Sequence, residues 1–515
     1  MAAKVTSPAT RQLGLLAAAL LLAAAGYWLL DRQPARIRAG LPARPDLTRQ
    51  PAELADLISD AETRARQRRT AVPGLIELGS IYHANGFVTE ADACWLLVAA
   101  EQPQAAKWPY LQADLRRRKS DYPAMAAWLE KTTALDPGYA PAWLRLADYE
   151  FKTGAIESAA KHYARRLTLI PGDAYARLGL IRIFLQQGRR DEARQLTEAL
   201  LATEPRFASG QNLYAEMLAA SGDSDGARLH RWLGREAGRY REAEDPWLDE
   251  LTPWCRDPHD LQRLATVQFQ TSKGDRGRAR MEQALRLAPT ALSLREALGD
   301  LYLKLAEPAP ARATLEQGLA GARPSSVSIP YYIYINQACR QLGQAEDAQR
   351  FVRQGLAAHP DAFELHNALG LTLEDLGRPD EALATYHRGV ELSPGDAECN
   401  FNLATVLLRA ERYAEARPYL QHALTLQPTF PKALKVLAQL ELAANRPEAA
   451  TEFLLPLYEA QPGDPQVRDL MVDWHLQSGR PAGARKILEE SLMIARLMGN
   501  AGEIAHCQEA LRRLP

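Results

Sequence analysis

The sequence predicts an all-α protein built as an α-solenoid, in which short helical hairpins stack one on the next. The first observation is composition, because Ala, Leu, Glu, Gln and Arg dominate and aromatic residues make up only 7% of the chain, which favours helix over strand. The second is length, since 515 residues are too many for one compact core. The third is a spacing of 34 residues that recurs among the prolines. These prolines are Pro103, Pro137, Pro171 and Pro205, and then Pro360, Pro394, Pro428 and Pro462.

Before the repeats, the N-terminus predicts a membrane anchor. Residues 1–12 form a short tail, and residues 13–30 run for 18 positions without a charge. A helix of that length spans about 27 Å, close to the roughly 30 Å hydrocarbon core of a bilayer. A cleavable signal peptide is the alternative, because Ala23-Ala24-Ala25 offers a cleavage site. The apolar run continues past that site through Trp28, so we expect an uncleaved transmembrane signal anchor.

Basic residues flank the anchor on both sides, so the positive-inside rule does not decide its orientation. We expect a single-pass protein of a bacterial inner membrane with periplasmic repeats, and the cytoplasmic orientation stays open. Residues 31–50 are rich in proline and arginine, with Pro34, Pro42 and Pro45. This composition predicts an extended linker between the membrane and the repeats.

Within each 34-residue unit the same residue types recur at the same places. Residues 140–171 contain Trp143, Leu146, Gly154, Ala159 and Tyr163 ahead of the closing proline. This pattern resembles the tetratricopeptide repeat family, which implies a right-handed superhelix of helix-turn-helix pairs. About twelve units fit between Val72 and Met498. They predict an N-terminal block at 51–240 with a leading helix, a C-terminal block at 258–498, and a capping helix at 499–515.

Two small-residue positions explain how each unit folds. A glycine after the first helix is expected to end it in a left-handed conformation. These glycines are Gly86, Gly154, Gly188, Gly222, Gly343, Gly377 and Gly479. An alanine early in the second helix permits close approach of the two helices. These alanines are Ala91, Ala159, Ala193, Ala227, Ala348, Ala382, Ala416, Ala450 and Ala484.

An irregular insertion at 241–257 interrupts the period. It contains Trp247 and Trp254 among acidic residues. One interpretation is a segment that docks a partner. The other is a hinge whose aromatic side chains fill a gap between two blocks of repeats.

The chain lacks the sequence patterns of an enzyme or a metal protein. It has no phosphate-binding loop, no HExxH, no G-x-S-x-G and no EF-hand loop. Its five cysteines, Cys94, Cys255, Cys339, Cys399 and Cys507, form no CxxC pair and are expected to be buried packing residues. A net charge of −1 argues against nucleic acid as a partner. We therefore expect no catalysis, no metal, no cofactor and no small-molecule substrate.

The family resemblance implies that the first helix of each pair lines a concave groove that binds a protein or peptide. Carried over to this sequence, the positions of the C-terminal block alternate in charge along the groove, which could set specificity; chance banding is the alternative. These residues are Glu364, Asn367, Glu374, Asp375, Phe401, Asn402, Arg409, Lys432, Lys435, Asp469 and Asp473. The expected function is a membrane-tethered scaffold that assembles a bacterial envelope complex. The alternative is a regulatory or substrate-presenting subunit of a separate enzyme system for glycosyl transfer, polysaccharide export or cytochrome maturation.

Overall fold

The computed structural model describes residues 33–48, 50–236, 243–270 and 274–514. In these ranges the ordered elements are helices and no β-strand occurs, which confirms the all-α prediction. The predicted tail 1–12 and transmembrane segment 13–30 lie outside the described residues. None of the helices in the described part of the chain combines the length and apolar character needed to cross a bilayer.

The described residues divide into two compact units. Unit 1 comprises residues 33–193 together with 243–261, and unit 2 comprises residues 194–236 together with 262–514. This division differs from the predicted blocks, since the first boundary falls at residue 193 rather than 240. The described part of the predicted insertion, residues 243–257, belongs to unit 1.

In unit 1, a short helix α1 at 33–40 precedes the hairpin helices, and two short turns of helix lie in the insertion. The others are α2 (Ala52–Arg66), α3 (Ala71–Ala84), α4 (Val88–Glu101), α5 (Lys107–Arg118), α6 (Tyr122–Leu135), α7 (Ala140–Thr153), α8 (Ile156–Leu169), α9 (Ala174–Gln186), α10 (Arg190–Thr203), which continues into unit 2, α13 (Pro246–Asp249) and a 3-10 turn at Thr252–Trp254.

Unit 2 holds the remaining helices, of which α14 begins within unit 1 and ends in unit 2. Its helices are α11 (Ala208–Ala220), α12 (Ser224–Glu236), α14 (Pro258–Gln270), α15 (Gly274–Leu287), α16 (Leu292–Lys304), α17 (Pro308–Leu319), α18 (Ile329–Gln341), α19 (Ala345–Ala358), α20 (Phe363–Asp375), α21 (Pro379–Leu392), α22 (Ala397–Arg409), α23 (Tyr413–Leu426), α24 (Pro431–Ala443), α25 (Pro447–Ala460), α26 (Pro465–Gln477), α27 (Pro481–Met498) and α28 (Ala501–Arg513), with a 3-10 turn at Pro324–Ser326.

Along the chain the helices follow one another as twelve successive pairs in the described ranges, from α3/α4 to α26/α27, in agreement with the predicted number. All seven predicted glycines adopt positive φ between the two helices of a hairpin, between 67° and 87°. All nine predicted alanines are buried. In the regular units the second helix ends two residues before the closing proline, as Leu392 does before Pro394. The recurring glycine, alanine and proline positions therefore explain where the helices of a hairpin begin, approach each other and end.

The predicted linker 31–50 differs in part from the expectation. Residues 33–40 are helical rather than extended, and Ile37 is completely buried against the apolar core of α2, α3 and α4. Arg36 pairs with Glu101 at 2.9 Å and Arg44 with Glu62 at 2.6 Å. The prediction of an extended spacer was wrong for residues 33–40, where burial of Ile37 supplies an apolar anchor.

Aromatic and thiol side chains fill the interiors of the units. In unit 1, Trp95 is completely buried and stacks on Trp108 with ring centroids 5.6 Å apart. All five cysteines are buried as free thiols, which confirms their predicted role in packing.

Candidate partner-binding surfaces

A cleft in unit 2 gathers part of the predicted groove. It lies where α18, α20 and α22, the first helices of three consecutive hairpins, come together, and it encloses about 880 Å³. Four of the predicted residues line it, namely Glu364, Asn367, Asp375 and Asn402. We refer to this site as the α18–α22 cleft.

The sequence prediction missed one wall of this cleft, which α18 supplies. Gln337, Arg340 and Gln341 line it, and they stand 34 residues before Leu371, Glu374 and Asp375. Extending the groove positions by one repeat toward the N-terminus would have found them. Their repeat was irregular in sequence because the spacing from Pro289 to Pro360 departs from a multiple of 34.

Four of the eight predicted groove charges, Glu374, Asp375, Arg409 and Lys432, form ion pairs with neighbouring hairpins. Arg409 pairs with Glu374 at 2.6 Å, Lys432 with Glu398 at 2.5 Å, and Arg340 with Asp375 at 2.5 Å. Each pair joins residues 34 or 35 positions apart, because equivalent positions of stacked hairpins are neighbours.

Two acidic side chains that line the cleft, Glu364 and Asp396, have no such partner in the described part of the chain. Asp396 accepts a hydrogen bond from the Cys399 backbone N–H at 2.7 Å and so caps its own helix, α22. Glu364, partly exposed on the first turn of α20, makes no hydrogen bond or ion pair within the described residues. The cleft therefore presents the Glu364 carboxylate with neither its charge nor its hydrogen-bonding capacity matched by a neighbouring hairpin.

The predicted asparagines are less accessible than expected of groove residues. Asn367 and Asn402 are 9% and 7% exposed. The Asn367 side-chain amide donates to the Cys399 thiol at 2.9 Å, and burial raises the pKa of that thiol to about 12. Both asparagines form the floor of the cleft rather than its rim.

The other seven predicted residues lie outside the cleft lining. Phe401 packs edge-on against Phe430 with ring centroids 5.5 Å apart, and Lys435 donates to Gln466 at 2.8 Å. Asp469 accepts from Arg468 at 2.9 Å, and burial, with the charge of Asp469 beside it, raises the pKa of Asp473. The remaining three, Lys432, Arg409 and Glu374, pair as described above. These seven residues do not form one site with the cleft.

The two tryptophans of the insertion pack on unit 1. Both are partly exposed. The Trp247 ring stacks on Tyr139 at a centroid distance of 3.4 Å and an interplanar angle of 9°. The backbone carbonyl of Trp254 accepts a hydrogen bond from the Asn85 side chain at 3.0 Å. The insertion is thus a surface segment held by helices from several hairpins of its own unit.

No cluster of three or more histidine, cysteine or carboxylate side chains in the described ranges is arranged to hold a metal ion. The described residues form two candidate surfaces. One is the α18–α22 cleft, which contains the unpaired Glu364 carboxylate, and the other is the set of hairpins in unit 1 that the acidic, tryptophan-containing segment covers. Such surfaces suit recognition of a polypeptide.

The fold defines a protein built of repeated helical hairpins. Comparison with known families identifies the repeat, since tetratricopeptide repeat models match residues 150–217, 361–429 and 407–473. The chain therefore contains tetratricopeptide repeats in these residues.

Two relatives are similar over part of the chain. Cellulose synthase 1 operon protein C of Komagataeibacter xylinus is 37% identical over 119 residues, which are 22% of this chain and 9% of that protein. Cellulose synthase operon protein C of Pseudomonas fluorescens (strain SBW25) is 27% identical over 205 residues, 38% of this chain and 16% of that protein. The chain thus matches only a small part of the length of either relative.

Among solved structures, yeast Tom70 covers 79% of this chain and 95% of its own, with 14% identity and a TM-score of 0.41. At that score the likeness is too weak to indicate a function.

Proposed function

We propose that this protein is a non-catalytic scaffold that binds a protein partner through the α18–α22 cleft. The observation that carries the proposal is the unmatched carboxylate of Glu364 in an open cleft lined by three consecutive hairpins. A partner segment that places a lysine or arginine beside Glu364 would supply the missing charge. Such a contact contributes mostly to specificity and to the rate of encounter.

A charge reversal tests this contact. The full chain carrying Glu364→Lys, crosslinked in envelope membranes of its own cells, should capture its partner roughly tenfold less than the wild type, a loss equivalent to about 1.4 kcal/mol. Glu459→Lys is the matched control, because Glu459 is exposed on α25 and its side chain makes no hydrogen bond or ion pair in the described part of the chain. Equal capture by both variants, with unchanged circular dichroism, would remove the cleft from the proposal.

Residues 13–30 are proposed to tether the scaffold to the inner membrane with the repeats in the periplasm. The uncharged run of 18 residues supports this, and tethering would raise the effective concentration of gathered partners. Protease added to intact spheroplasts should digest the repeats, whereas protection of the repeats would place them in the cytoplasm.

A second candidate is an accessory subunit of a polysaccharide-producing system, with catalysis on a separate chain. The names of the two similar proteins, both products of cellulose synthase operons, favour it. Cells that lack this protein should then secrete less polysaccharide than the parent strain, and re-expression should restore the amount. Unchanged secretion would leave the scaffold without this role.

A further inference from the structure

Segment 243–257 lies along unit 1 as a bound peptide lies along a groove. Its residues meet successive hairpins in reverse order, because Asp245 contacts Arg145 of α7, Glu250 contacts Lys107 of α5, and Trp254 contacts the Asn85 side chain just after α3. The segment therefore runs antiparallel to the order of the repeats and crosses three first helices.

A pocket formed by two tyrosines and an arginine of unit 1 receives the Asp245 carboxylate. The Tyr139 hydroxyl donates to it at 2.9 Å, the Arg145 guanidinium at 2.8 Å, and the Tyr110 hydroxyl donates as well. Tyr110 is completely buried, and burial raises the pKa of its hydroxyl well above the usual value. The tyrosine hydroxyl therefore stays protonated and continues to donate.

Contacts outside the segment also hold Arg145 in the pocket. Arg145 also donates to Asp114 at 3.1 Å, and this buried carboxylate is bonded in addition by Arg117 and Arg118. Three arginines around one carboxylate leave positive charge unmatched until Asp245 supplies a second carboxylate. The site is thus built for an acidic side chain.

Next to the carboxylate pocket, aromatic side chains hold the tryptophan. Trp247 stacks on Tyr139 and meets Tyr110 edge-on with ring centroids 5.5 Å apart. Its backbone N–H donates to the Tyr139 hydroxyl at 3.2 Å. A carboxylate and a tryptophan two residues apart are therefore recognised together.

The far end of the segment is held through its backbone. The Asn85 side-chain amide donates to the Trp254 carbonyl at 3.0 Å and accepts the Arg256 N–H at 2.6 Å. This paired contact fits any extended chain, because it uses only main-chain groups. The Arg256 side chain also donates to Glu53 at 2.7 Å.

Beyond Asp245, open space continues beside the pocket. A cleft of about 420 Å³ is lined by Arg117, Arg145, Tyr122 and Tyr149 among others. Tyr122 is 49% exposed although it is a large aromatic side chain. A ligand longer than the segment could extend into this cleft.

We propose that unit 1 carries a binding site for a partner peptide with an acidic residue and a tryptophan two positions later, and that segment 243–257 fills it in cis as an intrachain competitor. A partner bearing the same pattern gains access when it displaces the segment. This site is separate from the α18–α22 cleft and does not rest on the proposed function.

The test uses a fluorescein-labelled synthetic peptide of residues 243–257 and fluorescence anisotropy. The full chain with Asp245→Ala and Trp247→Ala, which removes both anchors of the segment, should bind the peptide at least roughly tenfold more tightly than the wild type. This is expected because a tethered competitor acts at an effective concentration on the order of millimolar. A peptide with the same two alanines should not bind either protein.

Pocket variants make the result specific. In the chain that carries Asp245→Ala and Trp247→Ala, the further change Arg145→Gln should abolish peptide binding. Arg117 bonds to Asp114 but not to Asp245, so Arg117→Gln should retain most of the binding. The proposal is overturned if the released chain stays folded and binds natural and altered peptides equally. A second control replaces residues 245–254 by a Gly/Ser segment of equal length. If unit 1 no longer unfolds cooperatively in this variant and in the Asp245→Ala, Trp247→Ala chain, the segment is a structural part of the unit and the proposal is overturned.

Discussion

At the scale of single residues, one histidine shows how burial determines chemistry that sequence leaves open. His83 is completely buried, and its Nδ1 accepts a hydrogen bond from Trp95 at 3.2 Å. Its Nε2–H therefore donates to Asp114 at 3.0 Å, which identifies the neutral tautomer. Burial lowers the pKa of His83, with further lowering by Arg117 and Arg118 against the opposing effect of Asp114. Burial would raise the pKa of Asp114, but His83 and Arg145 together hold it well below its usual range.

This histidine predicts a pH dependence of stability. Because its pKa is lower in the folded than in the unfolded chain, the unfolded chain binds more protons below about pH 6.5, and stability falls as the pH drops. The loss approaches about 1.4 kcal/mol per pH unit for one proton. Urea unfolding followed by tryptophan fluorescence at pH 7 and pH 5 should show a smaller loss for His83→Gln, which keeps a donor for Asp114. An identical loss of stability in the wild type and in His83→Gln would contradict the prediction. Burial also lowers the pKa values of His230 and His475, but both proteins contain these residues, so their effect cancels in the comparison.

The left-handed turn position is a second residue-scale determinant. Four hairpins place a residue other than glycine there, at Ser120, Ala306, Glu411 and Asn445, with φ between 54° and 59°. A side chain in this conformation costs about 1–2 kcal/mol, which the surrounding hairpin must offset.

Replacing such a residue by glycine should therefore stabilise the chain. Ala306→Gly is expected to raise the free energy of unfolding by about 0.5–1 kcal/mol, since glycine removes the strain but loses more entropy on folding. Ala313→Gly, at an exposed position inside α17, should instead lower it by about 1 kcal/mol. Chemical denaturation of the two variants checks the opposite signs, and a loss in both would show that strain at Ala306 is negligible.

At the scale of elements, close contact between the two helices of a hairpin explains the Leu-Gly step of the repeat. In the hairpin α20/α21, a Cβ added to Gly370 would lie 2.4 Å from the Tyr386 ring, and Tyr386 is itself buried. The glycine and the aromatic residue of the repeat thus form one contact. Sequence alone showed both residues but not that they touch.

Gly370→Ala should consequently separate these helices and destabilise the chain by about 1–3 kcal/mol, the usual result of overpacking a close contact. Gly395→Ala provides the control, because no atom lies within 4 Å of a Cβ at that turn. Thermal unfolding should show a lower midpoint for the first variant only. Equal midpoints would mean that Tyr386 moves aside without strain.

At the scale of the whole molecule, contacts distant in sequence add to the neighbour-to-neighbour stacking that repeats imply. Within unit 2, Trp232 and Leu233 of α12 cluster with Ile494 of α27. A Cβ on Gly463 would come within 2.0 Å of the Trp232 ring, and Lys486 pairs with Asp225 at 2.9 Å. Nothing in the 34-residue pattern indicates this contact, because it joins residues more than 200 positions apart.

Removing the contact between α12 and α27 should destabilise both helices. Trp232→Ala deletes a buried aromatic side chain, so we expect a loss of about 3–5 kcal/mol and faster hydrogen exchange in α12 and α27, measured by mass spectrometry. Phe351→Ala removes a comparable buried ring in α19 and should speed exchange in α18–α20 without affecting α12. Unchanged exchange in α27 after Trp232→Ala would contradict the contact.

The sequence by itself determined the hairpins, their number and their boundaries, because the turn glycine, the close-packing alanine and the closing proline act within about 34 residues of chain. It also placed Glu364, Asn367, Asp375 and Asn402 on one surface, since equivalent repeat positions stack. Only the tertiary structure decided that neighbouring charges such as Glu374 and Arg409 pair with each other. Only the tertiary structure showed that segment 243–257 packs on Tyr110, Tyr139 and Arg145. These residues contact Asp245 although they lie 100 to 135 positions before it, and a 34-residue repeat pattern contains no information on such a contact.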